Sequence, residues 1–278
     1  MKLSITTAWN EASAFVKREA GPLFLIAFGL MALPGIILQV IAARVVGTGL
    51  QVTPGSAPDF GPLLAALPIL LLLLIPVMVL SIWGHLTINV LALRRETVIG
   101  SAFGHAARRI LPLLGAWLLL MVILAIPVLL ILGLGVSVLG ASRVGLAALL
   151  FLILWLAAVF AAIRLMLMTP VAAAEPVGPV DIIRRSWRLT SGHFWKLLGF
   201  LLLILIVFFV LVLVVGSVAG ILVTLLAGRP DPGSLSSLII QLITGVLQAV
   251  FLTYFVVVIA RIYAQLSGDI SSVAEVFE

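Results

Sequence analysis

The sequence predicts an all-α integral membrane protein. Six transmembrane helices are expected in three parallel repeats, each preceded by a short interfacial amphipathic helix. Three observations lead there. First, the 278 residues are 64% hydrophobic and 9% charged, with a mean hydropathy of +1.38. A water-soluble domain is about half apolar and about a quarter charged, so this chain has too little polar surface to cover a soluble globule. Second, six apolar runs are each long enough to cross a bilayer. Third, three polar-flanked segments can be laid on one another through an aromatic anchor.

A hydrocarbon core of about 30 Å calls for roughly 20 apolar residues per helix. The runs are Leu23–Ala43, Leu63–Leu93, Leu111–Gly133, Val144–Met168, Leu197–Ala227 and Leu238–Ile262. The second and fifth exceed a span and are expected to tilt or to extend beyond the hydrocarbon. The stretch Gly135–Val144 is the least defined, and a re-entrant excursion is an alternative there. Pro34 and Pro127 predict kinks in the first and third spans; Val212 holds the corresponding place in the fifth. The first apolar run begins too late for a short basic leader, so the first helix is expected to stay in the membrane.

Basic residues alternate from loop to loop. Lys2, Lys17, Arg18, Arg94, Arg95, Arg108, Arg109, Arg164, Arg184, Arg185, Arg188, Lys196 and Arg261 fall on one side, thirteen in all. Arg44, Arg143 and Arg229 fall on the other. The positive-inside rule then places both termini in the cytoplasm. The same distribution explains the net charge of +6 and the pI near 10.8 without nucleic acid: the excess faces anionic lipid heads.

The repeat is read from columns. The anchors are Trp9, Phe103 and Trp187. Four residues earlier stand Ile5, Ile99 and Ile183; one earlier, Ala8, Ala102 and Ser186. Three later come Ala12, Ala106 and Thr190; seven later, Val16, Ile110 and Phe194; twelve later, Gly21, Gly115 and Gly199. Offsets of −4, 0, +3 and +7 share one helix face, so the aromatic face is expected to lie on the bilayer or the bundle. The glycines are expected to allow close packing or a bend where each span begins. One polytopic membrane domain over 1–278 results, with units at about 1–93, 94–177 and 178–278. In the third segment the expected helix is Val180–Ser191, capped by Asp181 and ended by Gly192.

The stretch Ile183–Gly199 reads Ile-Arg-Arg-Ser-Trp-Arg-Leu-Thr-Ser-Gly-His-Phe-Trp-Lys-Leu-Leu-Gly. It resembles the membrane-domain family of glycerophosphoryl diester phosphodiesterases, with weaker support from Arg108–Gly115. By span count and spacing the resemblance extends over essentially the whole chain. It implies a bacterial inner-membrane domain that in some members precedes a soluble phosphodiesterase barrel. The metal-binding Glu-x-Asp of that barrel is absent here, and the chain reaches Glu278 soon after the last span. The resemblance therefore implies a stand-alone membrane domain and not an enzymatic activity.

The residues argue the same way. There is no Cys, and all ten acids (Glu11, Glu19, Asp59, Glu96, Glu175, Asp181, Asp231, Asp269, Glu275 and Glu278) fall in loops or tails. A cation-coupled transporter usually carries an acid near the midplane. Neither a His-x-x-x-His ligand pair nor a Gly-x-Ser-x-Gly elbow occurs. No cofactor or metal is expected.

Candidate contacts for a lipid head group are Arg164 and Arg261 at the ends of the fourth and sixth spans, together with His85 and Asn89. These two share a stripe with Ser81. Snorkelling and interhelical hydrogen bonds are the plainer reading of this set. Arg184, Arg185 and Arg188 are expected on the solvated, phosphate-facing side of the third surface helix. Trp9, Phe103, Trp187 and Trp195 are expected as interfacial anchors, and His105 and His193 as exposed interfacial residues. The function expected is a non-enzymatic, lipid-interacting scaffold or accessory membrane domain. Its partner would be anionic phospholipid, with an envelope protein or a second copy as further partners. A small-molecule transporter or channel is the alternative, supported by the parallel repeats and proline breaks; a membrane-embedded lipid enzyme ranks third.

Overall fold

The computed structural model describes residues 3–46, 61–94, 98–139, 144–230 and 234–268, and every regular element among them is helical. The chain opens with α1 (Ile5–Arg18), whose first turn Ser4 caps by accepting from the Thr7 N–H. A single non-helical residue, Glu19, separates it from α2 (Ala20–Ile26). A π-helical segment, Ala27–Ala32, joins α2 to α3 (Leu33–Val46). Then come α4 (Gly61–Leu93), α5 (Ile99–Leu139), α6 (Val144–Leu165) and α7 (Met168–Ala174). The order closes with α8 (Pro179–Thr190), α9 (Phe194–Ala227) and α10 (Leu235–Ser267).

Among the described residues six helical stretches are long and apolar enough to cross a membrane: Ala20–Ala42, Leu67–Leu93, Ile99–Leu129, Leu149–Ala174, Phe194–Ala227 and Leu235–Ser267. The protein is an all-helical, six-span membrane bundle. The stretch at Gly135–Val144 is helix up to Leu139 and again from Val144; residues 140–143 lie outside the described residues.

Both described chain ends sit at one end of the bundle. The Ser4 N–H donates to Gln265 Oε1 of α10 at 3.1 Å, and Lys196 Nζ at the start of α9 reaches the Leu3 carbonyl at 3.5 Å. His105, near the start of α5, meets the Ala173 carbonyl of α7 at 3.2 Å. We call this the basic end. The tightest packing lies in its half of the bundle, at Leu86–Val90 of α4, Val256–Tyr263 of α10, and α7. By contrast α6 and α9 leave apolar side chains exposed along most of their length, as lipid-facing helices do.

Four expectations need correction. The second interfacial segment is not a separate helix: residues from Ile99 onward are the first turns of α5, which runs unbroken through Pro112 and Pro127. The proline effect in the first span is a widening ahead of Pro34. That residue has no N–H for the Leu30 carbonyl, and the Leu33 N–H bonds back five residues to Phe28. The N-cap of α8 is Gly178, followed by Pro179 at the first helical position; Asp181 sits in the first turn. Gly192 does end the helix, at φ +84°.

The fourth correction concerns the repeat columns. The faces that pack are the small residues at −1 and +3: Ala8 and Ala12, Ala102 and Ala106, Ser186 and Thr190 are all fully buried. Lipid tails are as apolar as Leu, so helices in a bilayer associate through small residues and hydrogen bonds and not by hiding large hydrophobes. The aromatic anchors lie on the flank, with Trp9 42% and Trp187 41% exposed. Of the glycines at +12, only Gly115 is in close approach, to Pro179; Gly21 and Gly199 face open space.

Candidate functional site

α1 packs on α10, the start of α5 on α4, and α8 on α5, α6 and α7. The anchors mark these contacts. Trp9 stacks on Tyr254 at 6.0 Å, Phe103 meets Trp83 edge-on at 5.4 Å, and Trp187 meets Phe160 edge-on at 5.7 Å. The Trp83 indole N–H also donates to the Phe103 carbonyl at 3.0 Å. Trp195 is 79% exposed beside Phe194.

Between α1, α2, the ends of α4 and α10 and the start of α5 lies a cavity of about 1010 Å³. Arg18, Arg94 and Arg261 line it, with Glu11, Glu19 and Gln265. Phe15 stands beside two of these arginines, with the Arg18 guanidinium 5.6 Å and the Arg261 guanidinium 5.4 Å from its ring. Arg18 Nε pairs with Glu19 at 3.1 Å, on exposed side chains. Arg94 Nη2 lies 3.3 Å from His105 Nε2. Three guanidinium groups against two carboxylates leave one net positive charge on the walls.

The residues singled out from sequence do not converge here. Arg261 alone of them lines the cavity. Arg164 instead joins α6 to α8. Its guanidinium lies over Phe160 at 5.1 Å and Trp187 at 5.4 Å and donates to Ser191 Oγ at 3.1 Å. Its carbonyl accepts from Ser186 Oγ and Thr190 Oγ1 at 2.9 and 3.1 Å. His85 is half-buried within α4. Asn89 is 2% exposed and spends its amide on the His85 carbonyl at 2.8 Å.

Arg184 and Arg188 are exposed, the former paired with Asp181 at 3.7 Å. Arg185 departs from the expected solvated face. Its Nε donates to Glu175 Oε1 at 3.0 Å with both side chains largely covered, and Tyr263 of α10 donates to the same oxygen at 2.8 Å. Neither histidine expected to be exposed is so: His105 and His193 are half-buried.

Sequence reasoning missed Arg18, Arg94, Glu11 and Glu19 as site residues and Glu175 as a junction. Arg18, Arg94 and Arg261 stand too far apart in the chain to form a motif, and no local pattern announces their meeting.

Fold and cavity together define a multi-pass helical membrane protein with a charged cavity at its basic end. The family described as a domain of unknown function (DUF7847) matches residues 19–266, and the chain belongs to it. No curated protein and no solved structure matches the chain.

Proposed function

We propose that this protein is a non-enzymatic, lipid-interacting membrane domain of the bacterial inner membrane, and that its ligand is the phosphodiester head group of an anionic phospholipid. The observation that carries this is the cavity lined by Arg18, Arg94 and Arg261 at the basic end. Guanidinium groups supply planar pairs of donors that match phosphate oxygens, and one net positive charge complements one phosphodiester. The resemblance of Ile183–Gly199 to the membrane domains of glycerophosphoryl diester phosphodiesterases supports the reading as a stand-alone membrane domain.

The basic end is taken as cytoplasmic. This is supported by the thirteen-to-three division of Lys and Arg, and it sets the cavity at the level of the anionic inner leaflet. We also read the bundle as three parallel units closed into a ring. The support is that α1, the start of α5 and α8 each rest small residues and an aromatic anchor on a second span, the first of them on the last span of the chain.

Thermal unfolding of the purified protein in mild detergent tests this reading. A ligand present at about 100 times its Kd adds about 2.7 kcal/mol. Phosphatidylglycerol is expected to raise the unfolding temperature more than the same amount of phosphatidylcholine, and the difference should shrink at high salt. Equal shifts would mean that head-group charge is not read.

A further inference from the structure

α1 has three distinct sides. Ala8, Ala12 and Val16 are buried beneath it, and Glu11, Phe15 and Arg18 face the arginine cavity. Its remaining flank (Trp9, Asn10, Ser13 and Lys17) borders a second recess of about 700 Å³, whose other walls are α9 and α10. We propose that this groove is a second lipid site, one that seats an acyl chain of a glycerophospholipid and reads its phosphate with Lys17. It goes beyond the head-group cavity, from which α1 divides it.

The groove is amphipathic along its length. Its polar groups are confined to the α1 end, where Asn10 and Ser13 offer neutral hydrogen-bonding groups beside the Lys17 ammonium. Lys17 is exposed and makes no hydrogen bond or ion pair among the described residues. Below Tyr254, whose ring stacks on Trp9, the lining is wholly apolar, through Phe251 and Val250 to Leu247 on α10 and from Ile204 to Leu211 on α9. Seven residues at 1.5 Å per residue make about 10 Å of depth, and one leaflet of hydrocarbon is about 15 Å. A chain anchored by a phosphate at α1 would therefore lie in the groove over most of its leaflet.

The floor is also fixed in advance. Phe208 and Phe251 stack with centroids 3.9 Å apart, and Tyr254 is stacked under Trp9. A wall already ordered adds no ordering cost to binding.

The test uses the full chain reconstituted in vesicles of equal parts phosphatidylcholine and phosphatidylglycerol, the latter carrying a photoactivatable diazirine on one acyl chain. Cross-links are expected to concentrate on Ile204–Leu211 and Leu247–Tyr254. Lys17→Gln should lower them about fivefold, the equivalent of ~1 kcal/mol for one basic residue at an anionic surface. Val250→Trp, which fills the groove from its lipid side, should lower them at least as far. Arg18→Gln with Arg94→Gln should leave them unchanged, which separates this site from the head-group cavity. Labelling spread evenly over all spans, or insensitive to both Lys17→Gln and Val250→Trp, would overturn the proposal. Equal labelling by a photoactivatable free fatty acid would overturn the phospholipid assignment. Should Val250→Trp fail to insert, the surface substitution Lys17→Gln decides alone.

Discussion

Tyr263 and Glu175, 88 positions apart, meet in a hydrogen bond of 2.8 Å in which the phenol donates to the carboxylate. The same oxygen accepts from Arg185 at 3.0 Å. One carboxylate thus ties the exit of α7, the surface helix α8 and the last span together at the basic end. Hydrogen bonds to charged groups contribute about 1.5–3 kcal/mol each. Tyr263→Phe is expected to cost about 2 kcal/mol in thermal unfolding. In a double-mutant cycle with Glu175→Ala the losses should fall short of additive, since both substitutions remove the same bond. Full additivity would mean that the pair does not interact.

The three arginines of α8 should behave differently from one another. Arg185→Gln breaks a largely covered ion pair and should cost about 2 kcal/mol. Arg184→Gln loses an exposed pair worth about 0.3–0.5 kcal/mol, and Arg188→Gln should stay within about 0.5 kcal/mol. Three equal losses in unfolding would contradict this arrangement.

The small-residue faces of α1, the start of α5 and α8 give one shared prediction. Ala12→Leu, Ala106→Leu and Thr190→Leu each force bulk into a fully buried contact. Overpacking costs about 1–3 kcal/mol, and Thr190→Leu also removes a hydroxyl bonded to Arg164. The flank substitution Trp9→Leu should be milder than Ala12→Leu. Unfolding curves that ranked them the other way round would mean the aromatic side is the packed one.

Glycines provide a test of sign. A Cβ at Gly115 would lie 2.9 Å from the Pro179 ring, and one at Gly245 would collide with Ile36. Gly115→Ala should therefore destabilise, because the Pro179 ring cannot turn aside, whereas Gly245→Ala should cost little because the end of the Ile36 side chain can rotate away. Gly21 and Gly199 lie in helices with open space around them, so Ala there should stabilise by up to about 1 kcal/mol. Destabilisation at Gly21 or Gly199 would return those positions to the close-packing role expected from the sequence.

The spans could be read from the sequence because the bilayer imposes a length directly: Leu197–Ala227 could only be a spanning helix, and α9 covers it. The limits of α8 were nearly legible through Gly192, though Pro179 and not Asp181 sets its start. What could not be read depends on distant partners. Nothing local marks Met168–Ala174 as a buried helix beyond the break at Met166–Leu167. Arg18 and Arg94 look like topology signals until α1, α4 and α10 bring them beside Arg261. Arg185 and its neighbours Arg184 and Arg188 are alike in sequence, and only Glu175 distinguishes it. The division of these faces into buried small residues and flanking aromatics has a general cause. Amphipathic reasoning from water puts the large apolar residue inside, while in lipid the small residue packs and the large one is left on the flank.

Native mass spectrometry of the wild type and of Arg18→Gln with Arg94→Gln, both released from mild detergent, tests the lipid reading most directly. It reports retained lipid by mass and number. The account predicts that the wild type keeps one more anionic phospholipid than the double variant, while the variant still purifies from the membrane because its spans are untouched. Identical anionic lipid on both proteins, or none on the wild type, would contradict the account.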